Sequence, residues 1–214
     1  MFRKTILAGA LAVALGIGMG QTARAQIVQV GYADNIRSSP FFPVPWDGDA
    51  GVQYFLGGGP SYDAGAVRVI NNTASAMVLT SAHIDGFGDG TNYNIWGGLI
   101  GGGLSISPGM SLILTQTASY NFDSSDNQGS NPAAIPVVHL VIDGTNYDLA
   151  DTAQVLNTEG TDHLAQAGLN ESHQWREIGT FGGQPGVPEP GALAMLGGML
   201  IAPAGWLLRR RRAA

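Results

Sequence analysis

The 214-residue chain has no cysteine, and Lys4 is its only lysine. The lack of cysteine excludes disulfides, thiolate metal ligands and a cysteine nucleophile. Between residues 26 and 186 the chain carries twelve aspartates and three glutamates but only three arginines, which gives this segment a net charge of −12. Because nucleic-acid binding depends on Lys and Arg at the phosphates, we expect no nucleic-acid partner. A segment of this length can still bury enough apolar surface to fold as one domain without cross-links.

Residues 1–25 have the three parts of a secretory signal peptide, including an apolar signal helix. Two positive charges precede an uncharged, mostly apolar run over residues 5–20. Ala23 and Ala25 then place small side chains at the two positions that a signal peptidase reads, which predicts cleavage before Gln26. The alternative is an N-terminal helix that stays buried or anchors the chain.

The segment 26–179 has the composition of strands and turns, since it is rich in Gly, Asn, Thr and Ser. Turn signals recur about every ten residues, and no long segment has a helical period. The best helix candidate, Asp162–Leu169, is short, and Gly97–Ser105 resembles a loop. We therefore predict an all-β body, an antiparallel β-sandwich of the jelly-roll or immunoglobulin-like kind. The predicted strands outside the hairpin described next are Ile27–Ala33, Val52–Leu56, Ala66–Ile70, Ala76–Ala82 and Met110–Thr117.

Val137–Ala150 predicts a β-hairpin. Its turn is Asp143-Gly144, a pair that suits a type I′ turn because both central residues need a positive φ. This turn sets the pairing of the strands, and both strands then place their apolar residues on the same face. The predicted pairs are Ile142 with Thr145, Leu140 with Tyr147, His139 with Asp148 and Val138 with Leu149.

Nothing in the sequence assembles a catalytic site. His139 is expected to face Asp148, an arrangement that orients a catalytic imidazole but also occurs as an ordinary polar pair on a solvent-exposed face. No G-x-S-x-G turn supplies a serine, and no glycine-rich phosphate loop precedes a helix. The histidines have no recognisable metal-ligand spacing, so we assign no metal ligands and no cofactor. The four histidines are His83, His139, His163 and His173.

Two kinds of segment suit a binding function. The loops Asp85–Asn94 and Asn121–Asn131 are rich in Asp, Asn and Gly, which favours calcium but is equally typical of plain turns. Neither loop follows the EF-hand pattern. The cluster Phe41–Trp46 combines aromatic rings with prolines that disfavour an internal strand, so it is the best candidate for exposed rings that contact a glycan.

The C-terminal end predicts a linker and a membrane anchor. Residues 180–190 are rich in Gly and Pro and are read as a linker. Residues 191–208 carry no charge and would span about 27 Å as a helix, close to the thickness of a hydrocarbon core, with Trp206 near one end. Positive charges after such a helix stay on the cytoplasmic side, which places residues 209–214 inside and the body outside. These charges are Arg209, Arg210, Arg211 and Arg212.

This tail resembles the PEP-CTERM sorting signal of Gram-negative bacteria. The resemblance covers residues 187–212 and consists of a short proline motif, an apolar helix and an arginine cluster, with Pro203 as a departure within the helix. It implies recognition by an exosortase, removal of the tail near the motif and delivery of the body to the cell surface or an extracellular polysaccharide matrix. The motif residues are Val187, Pro188, Glu189 and Pro190.

The sequence therefore predicts an exported, non-catalytic protein. It is first anchored in the inner membrane with its body in the periplasm, and after processing it belongs to the cell surface or the exopolysaccharide matrix. The alternative is a glycan- or calcium-binding module of that matrix. A secreted hydrolase is disfavoured, because no set of catalytic residues is evident.

Overall fold

A computed structural model describes residues 25–159 and 170–182. Most of the predicted signal peptide, the helix candidate Asp162–Leu169 and everything after residue 182 lie outside the described residues. That includes the proline motif, the apolar segment 191–208 and the arginine cluster. Within the described ranges, no helix is both long enough and apolar enough to cross a membrane.

The described residues form an all-β fold with two sheets, as the composition predicts. The five-stranded sheet has the order β2-β6-β3-β1-β9, and the four-stranded sheet has the order β5-β4-β7-β8. One short helix, α1, covers Gly97–Ile100. The strands are β1 (Gln26–Asp34), β2 (Val52–Leu56), β3 (Asp63–Ile70), β4 (Met77–Asp85), β5 (Leu104–Ile106), β6 (Ser111–Leu114), β7 (Val137–Ile142), β8 (Thr145–Ala150) and β9 (His173–Phe181).

Strand pairing is antiparallel except between β2 and β6, which lie parallel. The expectation of a wholly antiparallel architecture is therefore wrong at this pair. A parallel pair needs a long connection, and the chain between β2 and β6 supplies one by passing through the other sheet.

Both sheets contribute to one hydrophobic core. Val28 of β1 and Val69 of β3 meet Leu79 of β4 and Leu140 of β7, and all four are at most 1% exposed. Trp96 is fully buried in this core, where its indole N–H donates to the carbonyl of Thr115 at 2.8 Å. Burial of each such aliphatic side chain stabilises the fold by about 1.5–3 kcal/mol.

The hairpin prediction is confirmed in detail. Asp143 and Gly144 have φ values of 50° and 75°, and the predicted register is observed at every pair. Asp143 also ties the turn to β4: its carboxylate accepts from the Val78 amide at 2.9 Å, and its amide donates to the Val78 carbonyl at 2.9 Å.

Three expectations about element boundaries need correction. Gly97–Ser105 is not a plain loop, because it contains α1 and the start of β5. β6 ends at Leu114, before the predicted Thr117. β9 was missed, and it continues through Phe181, so the predicted linker cannot start at residue 180. Phe181 is buried and stacks on Tyr147 with ring centroids 4.2 Å apart.

Candidate functional site

Four polar side chains meet on the outer face of the four-stranded sheet. On β4, alternation sends Ile84 into the core and leaves His83 and Asp85 facing outward. On β7 the same alternation exposes His139, and on the neighbouring β8 it exposes Asp148. We refer to His83, Asp85, His139 and Asp148 as the histidine–aspartate cluster.

His139 lies at the centre of this cluster. It is opposite His83 in the β4–β7 pair and opposite Asp148 in the β7–β8 pair. Its Nδ1 lies 2.7 Å from Oδ1 of Asp148, and its Nε2 lies 2.9 Å from Oδ1 of Asp85. The rings of His83 and His139 are stacked, with centroids 4.3 Å apart and an interplanar angle of 8°. The imidazole of His139 is therefore held by carboxylates on both edges and by a second imidazole on one face.

These contacts alter the acidity of His139. Partial burial by itself lowers the pKa of the imidazole, but the hydrogen bonds that Asp85 and Asp148 accept from the ring favour the charged form and prevail, so the pKa is raised above its ordinary value. Both ring nitrogens donate to carboxylates in that charged form. Neither nitrogen is then left with a lone pair for a hydroxyl proton, so this arrangement does not suit a general base for a serine nucleophile.

The same cluster offers ligand atoms for a metal ion. His83, Asp85 and His139 each present one such atom, and the three atoms lie within 4.8 Å of one another. Among residues 25–159 and 170–182, this is the only set of three or more His, Asp or Glu residues with that proximity. The hairpin pattern predicts the pair of His139 and Asp148 but not the contribution of His83 and Asp85. The spacing His83-Ile84-Asp85 was the available signal, since residues two apart on a strand share a face.

The two acidic loops do not gather their carboxylates around a common point. Asp89 accepts hydrogen bonds from the amide and hydroxyl of Thr91, as in an ordinary polar turn. The loops pack on each other instead: the Asp89 amide donates to the Asn127 carbonyl, and the Tyr93 hydroxyl donates to the Asp123 carbonyl. In the part of the chain that the structure describes, neither loop brings three carboxylates close enough together to share a metal ion.

A second acidic group, which sequence reasoning missed, surrounds Tyr32. The buried Tyr32 hydroxyl lies 3.1 Å from Oδ1 of Asp63 and 3.0 Å from Oδ1 of Asp123. Burial raises the pKa of Asp63, and the nearby charges of Asp123 and Asp34 raise it further. The pKa of Glu171 is also raised, mainly by burial and then by the charges of Asp63 and Asp123. These carboxyl groups therefore destabilise one another when all are ionised.

The aromatic cluster is not the exposed platform that the sequence predicts. Trp46 is only 9% exposed and lies beneath other rings on the outer face of the five-stranded sheet. The prolines around it remove it from strand pairing, but the large apolar area of its ring favours packing on the sheet. A pocket of about 420 Å³ remains beside it, where the half-buried Phe42 and the buried Tyr62 meet the polar side chains of Asn35 and Arg37.

Most of the predicted processing residues lie outside the described part of the chain. Ala25 directly precedes β1, which begins at Gln26, whereas Ala23 lies outside the described residues. The same holds for the proline motif at 187–190, for Trp206 and for the four terminal arginines. No family model, no curated protein and no solved structure matches this chain.

Proposed function

We propose that this chain is an exported, non-catalytic surface or extracellular-matrix protein that is delivered by a PEP-CTERM-like sorting tail. The supporting observation is where the first and last described strands begin and end. β1 starts at Gln26, the residue that follows the predicted signal cleavage, and β9 ends at Phe181, before the proline motif begins at Val187. Removal of both predicted processing segments would therefore leave all described strands intact.

The pairing of the first and last strands also supports this proposal. Gln26 is the partner of Phe181 in the antiparallel β1–β9 pair, so both ends of the described body emerge at one corner of the five-stranded sheet. The two predicted cleavages fall before Gln26 and after Phe181 in the chain, so they would break no described strand pairing.

The acidic body is compatible with an extracellular location. The segment 26–186 has the net charge of −12 noted above, which favours solubility and disfavours adhesion to polyanions such as nucleic acid.

We further propose that the two sheets and their common core form a β-sandwich of the jelly-roll or immunoglobulin-like kind. The parallel β2–β6 pair would then be a variation on that architecture.

The fate of the chain can be tested in its native host with two epitope tags. One tag is placed in the exposed turn at Gly48 and the other after Ala214. We expect the tags to separate, with the body leaving the inner membrane as a shorter species. The variant Glu189→Ala together with Pro188→Ala should keep the tags together, whereas the control Glu177→Ala in β9 should not. If both tags of the unaltered chain remain on one full-length membrane species, sorting by cleavage is wrong.

A second candidate function is glycan binding at the pocket beside Phe42. The observation that favours it is the combination of the half-buried Phe42 ring with Asn35, Arg37 and two serines around a volume of about 420 Å³. Sugar rings stack on aromatic faces and present hydroxyl groups to polar side chains. A glycan array with the full-length protein tests this function. Phe42→Ala should abolish any binding seen, whereas Tyr120→Ala, at an exposed ring that does not line this pocket, should not. An empty array for the unaltered protein would contradict it.

A further inference from the structure

We propose that His83, Asp85 and His139 form a binding site for a divalent transition-metal ion of the zinc class, and that Asp148 holds His139 in its coordinating orientation. The site is independent of the sorting tail and of the pocket beside Phe42. It lies on the outer face of the four-stranded sheet, whereas the pocket lies on the other sheet.

The backbone fixes the positions of the three ligand residues. His83 and Asp85 are two residues apart on β4 and therefore project from the same face. His139 is directly opposite His83 on the adjacent β7. Two antiparallel ladders, β4–β7 and β7–β8, hold these strands in register, so the ligand residues do not have to be ordered by the metal. Such preorganisation lowers the entropic cost of binding.

The distances are close to those of a coordinated ion. Ligand atoms around a tetrahedral zinc ion lie about 3.4 Å apart, given metal–ligand bonds of about 2.0–2.1 Å. Here the three atoms lie within 4.8 Å of one another, and Nε2 of His139 is 2.9 Å from Oδ1 of Asp85. Side-chain rotations on the fixed backbone would bring them to the required spacing. Because the lone pairs of two stacked rings do not converge, the His83 ring would have to leave its stack on His139 to ligate the same ion.

Asp148 supplies the outer contact that metal-binding histidines usually have. Its Oδ1 lies 2.7 Å from Nδ1 of His139, on the edge of the ring opposite Asp85. A metal ion at this site displaces the proton that Nε2 shares with Asp85, and the contact with Asp148 then keeps the remaining proton on Nδ1 and leaves the Nε2 lone pair for the metal. A carboxylate behind a ligating histidine orients the ring and strengthens it as a ligand.

The ligand set selects the class of metal. Two imidazole nitrogens with one carboxylate suit zinc, copper and nickel, whereas calcium and magnesium require several oxygen ligands. All three ligand side chains are partly exposed, so water can complete the coordination. The site therefore resembles, in its number of protein ligands, those zinc sites that retain one open position.

Calorimetric titration of the full-length protein tests the proposal. The protein is purified in detergent with a histidine-free affinity tag, stripped with a chelator and titrated with Zn²⁺ or Ca²⁺. We expect one Zn²⁺ per chain and no Ca²⁺ at this site. His83→Ala and His139→Ala should each abolish Zn²⁺ binding, and Asp148→Asn should weaken it by about 10–100-fold. The matched control, His173→Ala, changes a histidine on the other sheet and should bind like the unaltered protein.

Two further measurements keep the result unambiguous. Thermal unfolding without metal shows whether each variant is folded, and these exposed-face substitutions should leave the midpoint nearly unchanged. Cobalt absorption bands in the visible range then report whether a substitute ion is four-coordinate, and they should disappear in His139→Ala. The proposal is overturned if the unaltered chain binds no Zn²⁺. It is equally overturned if the folded His83→Ala and His139→Ala variants bind Zn²⁺ as well as His173→Ala does, or if Ca²⁺ binds as tightly as Zn²⁺.

Discussion

Trp46 and Trp175 stack on the outer face of the five-stranded sheet, with their ring centroids 5.9 Å apart and their planes at 26°. Trp46 also meets Phe42, Phe55 and Tyr62 edge-on, at centroid distances of 5.1, 5.3 and 5.4 Å. The rings form a second small core, which buries the outward-facing residues of that sheet. The two sheets therefore differ: one is covered by aromatic rings, and the other presents the histidine–aspartate cluster to solvent.

This second core predicts that Trp46→Ala is strongly destabilising. The change removes a large buried ring and leaves a cavity beneath Phe42 and Trp175, so the free energy of unfolding should fall by about 3–5 kcal/mol. Urea unfolding followed by circular dichroism measures this loss. Tyr120→Ala is the matched control, since Tyr120 is 60% exposed, and it should change stability by less than about 0.5 kcal/mol. Equal effects of the two substitutions would show that the rings around Trp46 do not form a core.

Local patterns in the sequence were sufficient for some parts of this structure and not for others. The hairpin around Asp143 was predicted to the residue, because turn chemistry and alternation act between neighbours in the chain. β9 was missed because it is a largely polar edge strand whose pairing with β1 involves residues almost 150 positions away. Its apolar alternation is weak, because two register shifts in its pairing with β1 interrupt the two-residue period.

The candidate metal site shows the same limit. His139 and Asp148 share a hairpin, so their contact followed from the turn. His83 and Asp85 reach His139 only through the β4–β7 pair, which joins segments more than 50 residues apart. No local pattern specifies the register of such a pair. The prediction that the aromatic cluster is exposed was wrong for a related reason, because the sheet face that buries Trp46 is built from strands distant in the sequence.

The buried amide of Asn71 provides a second stability prediction. Its Nδ2 donates to the carbonyls of Ser75 and Ile106, at 2.8 Å each. Its Oδ1 accepts from the amide and the hydroxyl of Thr73 at 3.0 and 2.7 Å. Asn71→Asp has nearly the same shape but replaces both donors with an acceptor, which leaves two carbonyls facing an oxygen. The free energy of unfolding should fall by about 2–4 kcal/mol.

Asn72→Asp is the matched control for this substitution. Asn72 is the next residue and is half-exposed, whereas Asn71 is fully buried. The control adds the same negative charge to the same acidic surface but breaks no buried hydrogen bond. Chemical unfolding of both variants at neutral pH separates the effects of charge and of bonding. A loss of similar size in both would attribute the effect to charge and contradict the proposed role of the Asn71 amide.

The carboxyl groups around Tyr32 predict a dependence of stability on pH. Burial raises the pKa of Asp63 in the folded state, and the charges of Asp123 and Asp34 raise it further, against the opposing hydrogen bond from Tyr32 and the weaker effect of Arg37. The folded chain therefore binds a proton more tightly at Asp63 than the unfolded chain does. This contribution to stability is fully present below the unfolded value of about pH 3.8 and is lost as the pH rises through the raised folded value.

Asp63→Asn removes this pH-dependent contribution to stability, because the amide stays neutral at every pH. Its oxygen can still accept a hydrogen bond from Tyr32. The free energy of unfolding of Asp63→Asn should therefore fall less than that of the unaltered protein between pH about 4 and about 7. Asp126→Asn changes an exposed carboxylate in a neighbouring loop and serves as the control. Denaturant curves at several pH values measure the slopes. Parallel slopes for Asp63→Asn and the unaltered protein would rule out a contribution from Asp63.

At Gly144 in the hairpin turn, the energetic cost of a left-handed backbone conformation can be measured separately from any steric clash. Gly144 has a φ of 75°, and a Cβ built on it would meet no atom within 4 Å, so Gly144→Ala introduces backbone strain without a clash. The alanine should lower the free energy of unfolding by about 1–2 kcal/mol. Gly98 in α1 also has open space around it but no positive φ, so Gly98→Ala should be neutral or stabilise the fold by up to about 1 kcal/mol. Both variants add one methyl group on the surface, and opposite signs in urea unfolding are the expected outcome. Stabilisation by Gly144→Ala would mean that the turn does not require the left-handed conformation, and the register that positions His139 against Asp148 would lose its explanation.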